Sequence, residues 1–189
     1  MPSQRNSMLQ RLMMCTAGLF LALAVSAQDY KPVDDSSSIG FGIKNFGVTV
    51  SGTLKGLKGD IHFEPGNLGA CTFAVSVASK TINSGIDMRD NHLKKEDFLN
   101  VDAFPVITFK STKITASTKA GYMFLFGDLT IKGVTKAISF PFQAQPNGNG
   151  YTFTGDVTIN RRDFGVGGSS LSMSDQVKIN LKVVAQPAK

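Results

Sequence analysis

The sequence predicts an all-β domain, a single closed antiparallel barrel of about eight strands with one helical loop insertion. Apolar residues recur at every second position along most of the chain, as on half-buried strands. Short connections rich in Gly, Pro and Asn separate these segments. One long stretch, residues 79–105, lacks the alternation. A closed barrel is the natural architecture for so many consecutive strands, because it leaves no strand edge exposed.

The alternation gives eight or nine strands in order. They are centred on residues 39–43, 48–54, 57–63, 71–77, 107–111, 122–131, 138–142, 151–159 and 177–183. The stretches "KGLKG", "EPGN", "IKGVTK" and "QPNGNG" predict turns between them. The charged residues 87–98 predict a short helix or helical turn. The segment "YMFLF" is apolar on both faces, which predicts that one face meets the core or a ligand and that the long loop covers the other.

The predicted interior is rich in phenylalanine. The chain has 14 phenylalanines and no tryptophan, and most of the phenylalanines lie on the alternating segments. A barrel of about eight strands is either filled by its own side chains or just wide enough for a ligand. Small residues among the inward candidates favour space for a ligand: Gly40, Gly42, Gly52, Gly59, Ala144 and Gly155. A plain filled core is the alternative.

The N-terminus has the three-part layout of a secretory signal. Arg5 and Arg11 precede an apolar stretch, and small residues follow it where a signal peptidase would cut. The stretch is shorter than the ~18 residues that a membrane-spanning helix needs, although an uncleaved anchor is the alternative. We expect cleavage between Ala27 and Gln28 and a soluble periplasmic or secreted protein. This divides the chain into a signal peptide at 1–27, a lead-in to the first strand at 28–37, and a barrel domain at 38–186.

Composition argues against several functions. Loss of the signal removes two arginines from a formal net charge of +6, and the lysines are scattered along the strands. Solubility or weak attraction to anionic membranes explains them better than nucleic-acid binding. Cys71 is the single cysteine after residue 27, so it forms no internal disulfide, and its place in the alternation predicts a buried, inert thiol.

The segment "DMRDNHL" concentrates side chains that can do chemistry. Asp90 and His92 are a candidate acid–base pair, because a carboxylate can orient an imidazole. No nucleophile motif accompanies them, and the chain's two histidines lack the spacing of a zinc site. We therefore interpret Arg89, Asp90 and His92 as a clamp that fixes the helical loop to the barrel rim by charge-assisted hydrogen bonds. Leu93 and Phe98 would pack beneath the loop.

A second motif, "NRRDFGVGG", contains glycines but resembles a turn more than a phosphate-binding loop. It lacks the G-x-x-x-x-G-K pattern, and no helical pattern follows it. Arg161 or Arg162 is a candidate contact for an anionic lipid head group at the barrel mouth.

Several motifs, taken in order, carry a family resemblance. They are "IKNFG", the pattern GxxGxIxFxP in residues 56–65, "RDNHL", "DFLN", "FPVITFKS", "GDLTIKGVTK" and "NRRDFGVG". This series closely resembles the YceI family, secreted or periplasmic bacterial proteins whose lipocalin-like barrels hold polyisoprenoid lipids. It spans nearly all of the chain after residue 27. Many members carry a histidine where this chain has Asn45.

The resemblance implies that the protein sequesters or carries a long-chain polyisoprenoid, either an isoprenoid quinone or a polyprenyl lipid, with transient membrane contact and without a cofactor or metal. The predicted cavity residues are Phe41, Ile43, Val50, Phe63, Phe73, Val75, Ile107, Phe109, Phe124, Phe126, Phe140, Phe142, Phe153, Val157, Ile179 and Leu181. The predicted rim residues, as head-group contacts or loop clamp, are Arg89, Asp90, His92, Asp97, Asn160, Arg161 and Asp163. The alternative is a barrel enzyme that acts on a lipid or quinone, with Asp90 and His92 as acid and base.

The signal-peptide hypothesis predicts the N-terminus of the exported protein. N-terminal sequencing of the soluble exported form should give Gln28 as the first residue, because the small residues before it fit the peptidase. Intact residues 1–27 on that form would contradict the prediction.

Overall fold

The computed structural model describes residues 28–188, and the predicted signal segment and its cleavage at Ala27 lie outside them. The described chain folds into strands with short helical segments between them. The elements are β1 (Asp29–Pro32), the 3₁₀ helix η1 (Asp34–Ser36), β2 (Ser38–Asn45), β3 (Val48–His62), β4 (Thr72–Asn83), α1 (Asp87–Leu93), β5 (Val106–Ala116), β6 (Met123–Ile131), β7 (Val134–Asn147), β8 (Gly150–Asn160), the 3₁₀ helix η2 (Arg161–Phe164) and β9 (Met173–Pro187).

Strands β2 to β9 form a closed antiparallel barrel. Each pairs with its neighbours in the chain, and the ring closes where β2 pairs with β9, from Ser38 opposite Lys182 to Asn45 opposite Met173. We call the end with the β2–β3, β4–β5, β6–β7 and β8–β9 connections the upper end, and the opposite end the lower end. The prediction of a single eight-stranded barrel with one helical insertion is confirmed.

Two predicted boundaries are wrong in detail. The "KGLKG" stretch is not a turn but a bend within the continuous strand β3, and the register with β4 shifts there. Gly59 makes the bend, because its φ of 140° excludes most side chains and an added Cβ would lie 2.1 Å from the Ala74 carbonyl oxygen. The insertion is helical only from Asp87 to Leu93, and turns follow.

Buried apolar side chains form two clusters inside the barrel. The lower cluster comprises Tyr30, Ile61, Phe63, Cys71, Phe73, Ile114, Leu125, Phe140, Phe142, Phe153 and Ala185. The upper cluster comprises Ile82, Leu99, Leu129, Ile131, Ile159 and Phe164. Aromatic rings pack edge to face in the lower cluster: the Phe63 ring centroid lies 5.1 Å from that of Phe153 and 5.0 Å from that of Tyr151. These rings close the lower end.

Strand β1 and β2 together occupy one position in the barrel wall. β1 pairs with both β3 and β9 near the lower end, and β2 takes its place above. Between β1 and β2, the 3₁₀ helix η1 interrupts the backbone pairing with β9. The Ser37 hydroxyl supplies hydrogen bonds in place of that pairing. It accepts from the Val184 N–H at 3.0 Å and donates to the Val33 carbonyl at 2.7 Å. The predicted lead-in at 28–37 therefore contains a short strand that completes the wall.

On the side of η1 that faces β3, the Asp34 carboxylate supplies the hydrogen-bond acceptors. It accepts hydrogen bonds from the backbone N–H groups of Gly56 at 3.0 Å and Leu57 at 2.8 Å on β3. Burial works to raise the pKa of Asp34, and these two N–H groups oppose it. With the nearby charges of Lys55 and Lys58, they hold the pKa below its ordinary value.

Asp34→Ala should lower the free energy of unfolding by about 1 kcal/mol, because two N–H groups lose their acceptor and water replaces it only in part. Asp35→Ala, at an exposed neighbouring position, is the control and should have little effect. Urea unfolding measures both. Since the folded-state pKa is lowered, the stabilisation is complete above the unfolded value near 4 and is lost as the pH falls through the folded value. The difference between Asp34→Ala and the unsubstituted protein should therefore shrink in acid. Equal losses in the two variants, or a difference that grows in acid, would contradict the role of Asp34.

Candidate functional site

A cavity of about 300 Å³ lies inside the barrel between the two apolar clusters. Its wall is almost entirely aliphatic and aromatic. Along β9 the lining runs from Met173 near the upper end to Val183 near the lower end. At ~3.3 Å per residue and a strand tilt of ~40°, this corresponds to a depth of ~25 Å. The shape is that of a deep apolar pocket.

Most of the predicted cavity residues line this pocket. They are Phe41, Ile43, Val50, Phe73, Val75, Ile107, Phe109, Phe140, Phe142, Phe153, Val157, Ile179 and Leu181. Their places on alternate positions of seven strands explain how the period-two pattern located them. Their role in binding a ligand stays a prediction.

Three predicted cavity residues lie elsewhere. Phe124 and Phe126 are each 37% exposed and face outward on β6, whereas Leu125 and Leu129 face the interior. Because both faces of "YMFLF" are apolar, the alternation gave no basis for choosing between them. The long loop covers the upper end of the barrel and not this outer face. Phe63 packs in the lower cluster, outside the cavity wall.

Sequence analysis missed two groups of lining residues. The first group follows the same alternation on the strands: Ile39, Leu54, Leu57, Ile61, Val77, Ile82, Leu125, Leu129, Ile131, Ile138, Ile159, Met173, Val177 and Val183. The second group comes from the upper loops, where Leu93 and Phe98, predicted to pack beneath the helical loop, are joined by Leu99 and Val166. The alternation of apolar residues could have identified the first group. Loop residues carry no such signal, because their contacts depend on how the loops fold over the barrel.

The inward glycines do not simply leave empty space. Cβ atoms added at Gly52 and Gly127 would lie 2.3 Å from the Phe41 ring and 2.4 Å from the Phe109 ring. These rings therefore lie flat over glycine positions in the wall. At Gly155 the ring of Phe140 is 3.2 Å from an added Cβ. The glycines make room for flat aromatic walls.

The other small residues have different roles. Gly40 and Gly42 alternate with the inward residues of β2, so a Cβ on either would point away from the interior. Gly59 is the bend of β3 described above, and Ala144 packs against the lower cluster. Gly42, Gly59 and Ala144 lie outside the cavity wall, because outward parity, the bend of β3 and packing in the lower cluster place them there, whereas Gly40 lines the cavity through its backbone.

The base of the helical loop is fixed by Arg89, Asp90 and Ser84. Asp90 is 6% exposed, and its Oδ1 accepts from the Ser84 N–H at 2.8 Å and from the Ser84 hydroxyl. Arg89 Nε donates to the same hydroxyl at 2.7 Å, and its Nη2 donates to the Ser84 carbonyl at 2.7 Å. The hydroxyl bond, against the effect of burial, holds the pKa of Asp90 below its ordinary value. Because Ser84 directly follows β4, these bonds anchor α1 to the end of that strand.

His92 takes no part in this clamp. Its side chain is 55% exposed, its Nε2 lies 3.6 Å from Asp97 Oδ2, and its ring meets the edge of Phe98. Residues two apart on a helix do not face each other, so Asp90 and His92 point to different sides of α1. The predicted acid–base pair is wrong, and so is the part of His92 in the clamp.

Arg161 fixes the second upper loop. It is 3% exposed, and its guanidinium donates to the Ser174 carbonyl at 3.0 Å, the Val166 carbonyl at 2.8 Å and Asp175 Oδ1 at 2.9 Å. These bonds use three of its five N–H groups and tie η2 to the start of β9, and Arg161 also lines the cavity. Asn160 caps η2 by accepting from the Arg162 N–H.

The two upper loops also contact each other. The Gly167 N–H donates to the Asp97 carbonyl at 2.8 Å, and Phe98 packs against Gly167. Asp97 therefore acts through its backbone, while its exposed carboxylate and that of Asp163 lie at the surface. Together the loops form a roof over part of the upper end. Because Asn45 at the β2–β3 turn and Arg89 on α1 both line the cavity, we infer that its mouth lies between these two connections.

Two polar side chains stand at this mouth. Arg89 lines the cavity and uses Nε and Nη2 on Ser84, which leaves Nη1 without a hydrogen bond to residues 28–188. Asn45 also lines the cavity, and its buried Oδ1 has no hydrogen-bond partner within residues 28–188. Buried polar atoms are normally paired, so Asn45 Oδ1 marks a position where a ligand donor would be favourable.

Other candidate chemistry is weak in the described part of the chain. Burial raises the pKa of the Cys71 thiol, which contacts the backbone of Glu64 and is correspondingly unreactive. No group of three or more His, Cys, Asp or Glu side chains that could hold a metal lies among residues 28–188.

None of the helices within residues 28–188 is long and apolar enough to cross a membrane.

Known proteins with similar sequences and folds agree with this architecture. A UPF0312 protein of Shewanella oneidensis is 33% identical over 88% of this chain and 92% of its own length. BcnA of Burkholderia cenocepacia has a similar structure, with a TM-score of 0.76 and 24% identity over 80% of this chain and 98% of that one. A polyisoprenoid binding domain of Saccharophagus degradans gives a TM-score of 0.68 and 16% identity over 84% of this chain and 98% of that domain.

The family can be stated from the sequence as well as the fold. Residues 30–185 match the YceI-like domain, which spans the barrel from β1 into β9. The relative from Shewanella oneidensis also matches most of both chains. The chain therefore belongs to the YceI-like domain family.

Proposed function

We propose that this protein binds a long-chain polyisoprenoid, an isoprenoid quinone or a polyprenyl lipid, in its barrel cavity and sequesters or carries it in the periplasm or outside the cell. The observation that carries the proposal is the deep, almost entirely apolar cavity above a floor of packed aromatic side chains. Export rests on the signal-like residues 1–27.

The apolar wall supplies the driving force for binding a hydrocarbon chain. Each CH₂ group transferred from water to an apolar site contributes about 0.8 kcal/mol. A long branched chain therefore gains binding free energy along the whole depth of the cavity, with no cofactor needed. The similar Saccharophagus degradans domain, described as polyisoprenoid binding, supports this class of ligand.

The polar groups at the mouth fit an amphipathic ligand with its head upward. Arg89 can donate to a carbonyl, hydroxyl or phosphate oxygen, and Asn45 Oδ1 can accept from a hydroxyl. Both lie at the upper end, whereas the lower cluster consists mainly of aliphatic side chains and aromatic rings. The chain end of the ligand would point toward Phe73 and Phe153.

Organic extraction and native mass spectrometry of the purified protein test the proposal. We expect one polyisoprenoid per barrel, released by solvent and identified by the mass spacing of its isoprene units. If the purified protein contains no lipid, its affinity for added prenyl chains should increase with chain length until the chain fills the cavity. A saturated fatty acid as the bound species, or no uptake of any prenyl chain, would contradict the proposal.

Val157→Phe should reduce the bound lipid several-fold, because Val157 faces the middle of the cavity and the larger ring takes up ligand space. The fold should survive with an overpacking cost of ~1–3 kcal/mol. Thr158→Phe adds the same ring to an exposed, outward position on β8 and is the matched control. Extracted lipid per protein is measured in both. Equal loss in the two variants, or no loss in Val157→Phe, would exclude the cavity as the binding site.

The geometry also separates binding from the alternative enzyme. Asp90→Ala should lower the urea midpoint and reduce bound lipid only through loosening of the loop, since the Ser84 donors lose their acceptor. His92→Ala should change neither, because His92 is exposed. Turnover of a lipid or quinone by the unsubstituted protein that His92→Ala abolishes would favour the enzyme.

A further inference from the structure

We propose that the upper end of the barrel docks on a lipid bilayer by inserting the apolar tips of three connections, so that the cavity mouth opens directly onto the membrane. The tips are the β2–β3 turn, the start of α1 and the β8–β9 loop. The inference deepens the proposed function and rests on it, since docking would deliver or collect the cavity's lipid.

Large apolar side chains are exposed to solvent at these tips. Phe46 is 82% exposed, Met88 83% and Leu171 fully exposed, with Val48 and Ile86 also more than half exposed. Single exposed apolar residues are ordinary on a protein surface, but five on three neighbouring connections are not. Fold stability does not account for them, because they bury little area.

Phe46 is unfavourable for the turn that holds it. Phe46 and Gly47 have φ values of 49° and 77°, the left-handed pair of a type I′ hairpin turn. Asn or Gly suits the first of these positions, whereas a bulky side chain in this region is disfavoured. The ring recovers little from packing, because it is largely exposed. An aromatic residue that costs the fold and gains no burial points to a contact outside the chain.

The tips surround the mouth. The Phe46 N–H donates to the Ser172 carbonyl at 2.9 Å, which joins the β2–β3 turn to the β8–β9 loop beside Leu171. Asn45, next to Phe46, and Arg89, next to Met88, both line the cavity. The exposed tips are thus continuous in the chain with the mouth-lining residues, and a surface that covers the tips also covers the opening.

The distribution along the barrel is one-sided. Within residues 28–188, the large apolar side chains that are most exposed are all at these tips. Val106 and Val134 lie at the same end, at the starts of β5 and β7, and Phe124 and Phe126 lie on the outer wall. None of the lower connections, residues 63–71, 117–122 and 148–149, carries one. The asymmetry defines which end faces the bilayer.

Charge near the tips is mixed. Lys44 and Arg162 are exposed, and so are Asp87 and Asp163. Balanced charges give no strong attraction to anionic lipid, so insertion of apolar side chains a few ångströms into the interface is the main contribution. Docking should therefore occur on zwitterionic vesicles. A second copy of the chain is a poorer fit, because separate protruding tips do not form the flush apolar core of a protein interface.

A single tryptophan can report the docking, since the chain has none. Phe46→Trp places it at a tip, and Phe126→Trp places it on the outer wall as the matched control. Each purified protein is titrated with phosphatidylcholine vesicles that contain no polyisoprenoid. We expect a blue shift of Trp emission and quenching by brominated lipid for Phe46→Trp, and neither for Phe126→Trp.

Vesicle sedimentation of polar variants gives the second measurement. Phe46→Asn should partition about tenfold more weakly, because one large apolar side chain is lost from the interface. Its fold should be kept, since Asn suits the turn. Phe126→Ser should partition like the unsubstituted protein.

Each other outcome overturns the proposal. No vesicle-dependent shift for Phe46→Trp, or an equal shift for Phe126→Trp, excludes docking by this end. A shift that needs added phosphatidylglycerol and disappears in high salt assigns binding to charge. A shift that follows protein concentration without vesicles assigns the tips to a second copy. Because these vesicles lack the cargo, docking without extractable polyisoprenoid would refute only the proposed function, and cargo without docking would refute only this inference.

Discussion

Edge-to-face packing of aromatic rings at the lower end is the interaction on which the rest of the architecture depends. Phe63 meets Phe153 and Tyr151 edge to face at centroid distances of 5.1 and 5.0 Å, and Tyr30 from β1 packs edge to face against Tyr151. Tyr151 and Phe153 stack at 5.8 Å. This cluster supplies the buried core that a barrel with an open interior would otherwise lack. It also fills the lower end of the barrel, so the cavity lies between it and the upper loops.

The upper end of the barrel is stabilised by hydrogen bonds and ion pairs rather than by packed aromatic rings. Polar and charged residues there fix loops instead of filling the interior: Asp90 and Arg89 hold the base of α1 through Ser84, and Arg161 holds the β8–β9 loop. Their hydrogen-bonding capacity is mostly used within the protein, which leaves the space beneath the loops apolar. The charged cluster of Arg89 and Asp90, which is a catalytic candidate in the sequence, thus holds in place a loop that covers the barrel. The same arrangement leaves Asn45 and one edge of Arg89 at the opening.

The period-two pattern was sufficient for the barrel and for most of the cavity wall, because a closed sheet gives every strand one inner and one outer face. It failed on β6, where both faces are apolar and Phe124 cannot be distinguished from Leu125. It also failed at Gly56 and Gly59, since a glycine that bends a strand resembles a glycine that ends one. The pattern could not identify Leu99 and Val166 as cavity-lining residues, because a loop's contacts are set by tertiary folding.

The pairing of β2 with β9 that closes the ring joins distant parts of the sequence. Ser38 lies opposite Lys182, so the closing contact joins residues at nearly opposite ends of the described chain. Pairing between neighbouring strands is local, but this last ladder must overcome the loop entropy of the whole barrel, and folds dominated by such distant pairings form in milliseconds to seconds. Until β9 is in place, the sheet is an open strip whose phenylalanine-rich face is exposed to water. Before it has a cavity, the protein therefore passes through a state in which self-association competes with folding.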